Sequence, residues 1–189
     1  MFGQIEARLQ LPFSCANQHF PPYYRPAKFS NMKSLIFLVT LAALSCAAPA
    51  QPSWIWTSKQ AKDKEKAVFR KTFDIPGAVK SAMLLVSCDN GAIVNVNGKG
   101  AAECPDWQQP AQADVTKLLK PGSNELLVNA QNQGGVAALV VKLDIELADG
   151  KKLTIETGEG WEASSPKMEK WKPAEVIAKY GAGPWGAVL

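Results

Sequence analysis

The chain has 189 residues, 47% apolar and 20% charged, which suits one packed domain and excludes wholesale disorder. Lys and Arg total 21 against 17 Asp and Glu, but four of the basic residues and one of the acidic ones precede Gln51, leaving 17 against 16 beyond it. That near-balance offers no basic face to neutralise phosphates, so nucleic acid is not an expected partner.

Residues 32–50 read as a secretory signal peptide. Lys33 supplies the positive charge, Ser34 to Leu44 the apolar run, and Ala48-Pro49-Ala50 the small residues of a cleavage site. The run is too short to cross a bilayer, which takes about 20 residues. Met32 is the expected initiator, and residues 1–31 are read as a mis-annotated or disordered extension. Cys46 as a lipid acceptor is the lesser alternative, because Ala43 stands where a lipobox carries Leu. Either route exports the domain, to the medium, the periplasm or the cell surface.

From Gln51 onward the pattern is one of short strands. Trp54-Ile55-Trp56 opens it, a charged loop runs from Lys59 to Lys66, and Ala67 to Ile75 carries β-branched and aromatic residues into a Pro76-Gly77 turn. Ser81 to Cys88 is largely apolar, as in a strand buried on both faces or central in a sandwich. Asp89-Asn90-Gly91 turns the chain, Ile93 to Asn97 alternates, and Asn97-Gly98 is a type I′ hairpin signal, since both central residues need positive φ. Asp114 starts a short turn that Pro121-Gly122 ends. Strands follow at Glu125–Ala130, Val136–Leu147 and Leu153–Glu156, and a last segment begins at Trp161. Turn signals every 8–12 residues, with no pattern of helical length before Pro173, give an all-β sandwich over 51–165. Residues 166–189, rich in Pro, Gly and Trp, read as a tail or linker.

Cys88 and Cys104 are the two cysteines beyond the leader. In an exported domain such a pair is read first as a disulfide, worth about 3 kcal/mol in the chain-entropy model. The alternative is two unpaired, half-buried thiols.

Several segments resemble galactose-binding-like jelly-roll domains, as found near the N-termini of bacterial α-L-rhamnosidases and in other exported glycan-active proteins. The resemblance is carried by Val68-Phe69-Arg70-Lys71-Thr72-Phe73-Asp74-Ile75-Pro76-Gly77, Cys88-Asp89-Asn90-Gly91, Val96-Asn97-Gly98-Lys99, Asp114-Val115-Thr116 and Asn132-Gln133-Gly134-Gly135. Trp161 fits a late D-x-x-W position, although Gly158-Glu159-Gly160 replaces its Asp. The resemblance implies a jelly-roll β-sandwich whose inter-strand loops form the ligand face, and a chain that is the front piece of a longer one. It does not fix the ligand.

The residue inventory narrows the chemistry. The only histidine, His19, lies in the leader, which removes Ser-His-Asp and Cys-His nucleophiles and His-containing zinc sites from the domain. No phosphate-cradling glycine motif is present. Asp89, Glu103, Asp106 and Asp114 are the carboxylates that a glycosidase would draw on, but each has a duller role in a turn or solvated loop, so the domain is read as non-enzymatic. Cofactors are expected to be none, with a structural calcium compatible with the family and no ligands assigned.

All six tryptophans lie beyond residue 50. A sugar asks for an aromatic platform beside amides and carboxylates. The expected ligand residues are Asp106, Trp107 and Gln108 on one loop, Gln131 and Asn132 on a second, and Asp89 and Asn90 at a third turn. Trp54 and Trp56, two apart, share one face and read as core or edge packing, as Trp161 reads as core, while Trp107 stands open between platform and packing. The function these expectations add up to is a secreted carbohydrate-binding module that targets poly- or oligosaccharides. The rivals are a structural or docking accessory domain of a larger exported glycoside hydrolase, and a fragment that helps shape a downstream active site.

Overall fold

The computed structural model describes residues 51–189. The signal-peptide reading, the extension before it and Cys46 all lie outside them. Twelve strands form two antiparallel sheets, the all-β sandwich expected from the turn spacing. In the first sheet β1 (Ser53–Trp56), β3 (Val79–Asp89), β6 (Ala111–Asp114), β8 (Ala138–Leu147), β9 (Lys152–Glu156) and β12 (Glu175–Lys179) run in the order β12-β1-β8-β3-β6. β9 shares an edge of β8 with β1: Leu139 faces Ile55, and Lys142 to Glu146 face Glu156 to Lys152. The second sheet has the order β11-β10-β2-β7-β4-β5, from β2 (Lys66–Ile75), β4 (Gly91–Val96), β5 (Lys99–Cys104), β7 (Gly122–Gln131), β10 (Glu162–Ser164) and β11 (Lys172–Pro173). Among the described residues no helix is long and apolar enough to cross a membrane.

Strand alternation builds the core. Phe69, Phe73 and Ile75 of β2 and Leu126 and Val128 of β7 point inward to meet Leu84 and Val86 of β3 and Leu143 and Ile145 of β8. Each such burial contributes about 1.5–3 kcal/mol. Trp161, at 1% exposure, lies in this core as expected, its Nε1 donating to the Glu156 carbonyl at 2.8 Å. The Asn97-Gly98 hairpin has both residues at positive φ, 50° and 75°, and Asn97 also bonds Leu118 O and Asn124 Oδ1. Asp114 Oδ1 accepts the Thr116 N–H and starts the short 3-10 turn Thr116–Leu118.

The structure departs from the sequence reading in three places. Ser81 to Cys88 is not covered on both faces along its length: Ser81 and Met83 are exposed, and burial becomes continuous only from Val86 to Asp89. The doubly buried strand is the start of β8, where Leu139 and Val141 face the main core and Ala138 and Val140 face a second, smaller one. Trp54 and Trp56 do not share a face. A register shift between Trp54 and Ile55 turns Trp56 into the main core and Trp54 into the small one. Residues 166–189 are not a free tail: they supply β11 and β12, and Arg70 lies 4.0 Å over the Trp171 ring.

Trp185 closes the small core from the outer face of the first sheet. Its ring centroid is 5.1 Å from that of Trp54, it is 4% exposed, and its Nε1 donates to Asp89 Oδ2 at 2.8 Å. Trp54 Nε1 in turn donates to Gly186 O. Trp185→Ala should cost about 3–5 kcal/mol in urea unfolding, as a large core truncation does. Trp185→Phe, which keeps the packing but strands the Asp89 oxygen, should cost less, about 1–3 kcal/mol. A loss below 1 kcal/mol in the alanine variant would show that the segment merely rests on the sheet.

Candidate functional site

The candidate site lies where the 58–65 loop, the 89–91 turn, the 105–110 loop and the 131–135 loop meet at one end of the sandwich. Backbone and side-chain bonds lace them together. Asn90 N–H donates to Gln131 O and Asn90 Oδ1 accepts the Gln133 N–H at 2.6 Å. Asn132 N–H donates to Glu65 O, and its Nδ2 reaches Lys62 O and Gly135 O. Asp63 Oδ1 accepts the Gly135 N–H. Gly91 fits a close approach: a Cβ there would stand a tight 3.3 Å from Cys104 O and 3.4 Å from Pro105 O. The 105–110 loop is a tight turn, with Gln109 N–H on Asp106 O and Gln108 N–H on Asp106 Oδ1, so Trp107 and Gln108 form its apex.

The expected ligand residues divide into two groups. Asp89 and Asn132 are 8% and 2% exposed and are engaged with the fold, Asp89 by Trp185 and Asn132 by the bonds above. Asn90 is half-buried and holds the 131–135 loop. Gln131 and Gln108 are exposed, and Trp107 is half-buried against the small Trp54–Trp185 core, its carbonyl accepting the Ser87 hydroxyl. Gln131 lines two adjoining hollows, of about 380 Å³ and about 400 Å³. Lys64, Lys66, Asn129 and Ile93 line them too and were missed by the sequence reading. For the last three the signal was the alternation of β2, β4 and β7, which sets Lys66 opposite Gln131 and Asn129 opposite both Val68 and Ile93, whereas Lys64 lies in the preceding loop and had none.

The expected Cys88–Cys104 disulfide is corrected: both residues are free, buried thiols. Cys104 Sγ instead donates to the carbonyls of Asp106, at 3.2 Å, and Gln109. Burial pushes both thiols above their ordinary range, which keeps them neutral and unreactive. Of the four carboxylates considered for catalysis, Asp114 holds the Thr116 N–H, Asp106 holds the Gln108 N–H and Asp89 holds Trp185. No three His, Cys, Asp or Glu side chains come together among the described residues, so they do not assemble a side-chain set for calcium.

A separate hollow of about 460 Å³ lies on the first sheet over Met83, Ile145 and Leu153. It carries no aromatic or amide side chain, and its Asp144 and Glu146 are paired with Lys142 and Lys80.

The described residues make a two-sheet antiparallel β-sandwich, an architecture that many families share, so the comparisons decide which relatives it has. No family model matches the chain. An α-L-rhamnosidase of Streptomyces avermitilis is 32% identical over 157 residues, which cover 72% of this chain and 15% of the enzyme. The structure of that organism's α-L-rhamnosidase complexed with L-rhamnose superposes with a TM-score of 0.65 at 30% identity, over 72% of this chain and 15% of that one. The Pleurotus ostreatus lectin matches with a TM-score of 0.63, at 27% identity in its apo form and 28% in complex with GalNAc, over 72% of this chain and 44% of the lectin. The described residues form a β-sandwich that matches lectin and galactose-binding-like domains in structure, and the matched part of the chain is homologous to a segment of α-L-rhamnosidase that makes up about 15% of that relative's length.

Electrostatics ties the 58–65 loop to the core. Burial would raise the Glu65 pKa, but hydrogen bonds from the Lys62 N–H, the Thr57 hydroxyl and Trp56 Nε1 outweigh it, and the net value lies below the ordinary 4.5. The fold therefore favours ionised Glu65. Its contribution is complete above the ordinary value and is lost as pH falls through the lowered one. Glu65→Gln should flatten the dependence of unfolding free energy on pH as the pH falls below the ordinary Glu value. An unchanged slope in a urea series below that value would contradict the assignment.

Proposed function

We propose that this domain is a non-catalytic carbohydrate-binding module of an exported protein, taking glycan at the end where the four loops meet. The observation that carries the reading is Gln131, an exposed amide that lines both hollows at that end, in a domain whose structural relatives include a lectin bound to GalNAc and an α-L-rhamnosidase bound to L-rhamnose. Gln131 and Gln108 offer paired donors and acceptors to sugar hydroxyls, and the half-exposed Trp107 offers an aromatic face. One stack contributes about 1 kcal/mol beyond area burial, so a single site binds weakly. Attachment to an enzyme or a repeating polymer raises the effective affinity. Asp89, Asn90 and Asn132 set the loops in register beneath this surface.

A second reading, an accessory domain that docks on a catalytic partner, is favoured by the Met83 hollow and by the chain's match to only part of an enzyme. Glycan-array and affinity-gel binding of wild type, Gln131→Ala and Trp107→Ala separate the two. The carbohydrate reading expects wild-type binding that falls roughly tenfold, about 1.4 kcal/mol, in Gln131→Ala with an unchanged circular dichroism spectrum. Absence of binding across plant, algal and microbial glycans would favour docking.

A further inference from the structure

The two hollows beside Gln131 form one groove, and its charge is uneven. One part is lined by Lys64, Lys66, Gln131, Asn132 and Gln133. The other runs from Lys66 and Gln131 past Asn129, Gly91 and Ile93 to Glu103. Lys66 and Gln131, which line both, are register partners on β2 and β7, and Gly91 follows Gln131 onto β4. Three neighbouring strands thus lay a cation, an amide and a bare glycine side by side. The next outward row is Val68, Asn129 and Ile93, and Ile93 is 50% exposed.

The lysines at one end of the groove are in no ion pair, although Asp63 and Glu65 stand on either side of Lys64 in the chain. The ion pairs among the described residues are Arg70–Glu162, Lys80–Glu146, Lys142–Asp144 and Lys151–Asp149, and neither Lys64 nor Lys66 takes part in one. The acids nearest in sequence are turned to other work. Asp63 Oδ1 holds the Gly135 N–H, and Glu65 holds Trp56, Thr57 and Lys62. Glu103 lies at the far end, separated from Lys66 by the widths of β7 and β4. Two free ammonium groups flanking a free amide suit an anion that also presents hydroxyls. The exposed Ile93 and the floor at Gly91 suit the C–H face of the adjoining ring.

We propose that the groove selects an anionic glycan, a chain of sugars bearing carboxylate or sulfate, with its acidic group between Lys64 and Lys66 and the next ring over Ile93 beside Asn129 and Gln131. The inference rests on the carbohydrate-binding reading and adds the ligand's charge class. Both acidic groups offer the same oxyanion to the lysines, and the choice of polymer tells them apart.

The test is affinity electrophoresis of the full chain through gels containing polygalacturonate, a sulfated galactan or a neutral galactan. Wild type should be retarded by one or both acidic polymers more than by the neutral one, and the retardation should weaken with added salt. Lys64→Ala/Lys66→Ala should lose about tenfold in affinity, and Lys64→Arg/Lys66→Arg should keep it. Lys117→Ala/Lys120→Ala removes the same charge from the 3-10 turn and the stretch just after it and should leave retention unchanged. Retention by polygalacturonate alone identifies a carboxylate ligand, and retention by the sulfated galactan alone a sulfate ligand. Equal retention by the neutral galactan, or an equal loss in the two alanine pairs, would overturn the charge class and leave the carbohydrate reading in place. No retention in any gel would overturn this inference, while the glycan array decides the broader reading by itself.

Discussion

The hydrogen bond from Trp185 to Asp89 is the constraint on which the loop-bearing end depends. It joins the last segment of the described chain to the turn between the two sheets, across 96 residues of sequence. Asp89 ends β3 in one sheet, and Gly91 begins β4 in the other, so the position of that turn sets how the sheets meet. The bond forms where Trp185 has already excluded water by stacking on Trp54. Burial nonetheless holds the Asp89 pKa above its ordinary value, against the lowering effect of the indole N–H. The carboxylate is therefore retained at a cost in stability, in return for a fixed turn.

From that turn the order passes outward. Asn90 holds Gln133 and Gln131, Asn132 holds Lys62 and Gly135, and Glu65 anchors the far loop to Trp56 in the core. Residues with buried, fully bonded polar groups form the frame, and the exposed side chains Gln131, Lys64 and Lys66 stand on it. In such a division the exposed side chains stand on a backbone that is already ordered, so little ordering cost would fall on any ligand they took.

Much of the fold was legible because strand alternation and turn chemistry are local. Asn97-Gly98, Asp114 and the core role of Trp161 could be read from neighbours alone. What escaped depended on distant partners. The opposite facing of Trp54 and Trp56 comes from a register shift against β12, a strand placed in the tail by composition. The burial of Asp89 and Asn132 comes from Trp185 and from the 58–65 loop, which no spacing rule connects to them. That the two thiols are free and buried, with Cys104 donating to carbonyls of its own loop, is likewise not written in their spacing. Gln131 was recognised by its loop, whereas Lys66 was passed over because its meaning lies in the strand beside it.

The pairing of β1 with β12 has a mechanical side. The two strands are antiparallel, with Ser53 opposite Lys179 and Trp56 opposite Glu175. Leu189 stays close to that edge, its N–H and carbonyl both bonded to the Tyr180 hydroxyl. A pull on the outer ends of these strands therefore opens their hydrogen bonds one after another, as a zipper opens, and does not load them together in shear. Separation of the two ends of the described chain would begin along this seam and leave the register of the other sheet untouched.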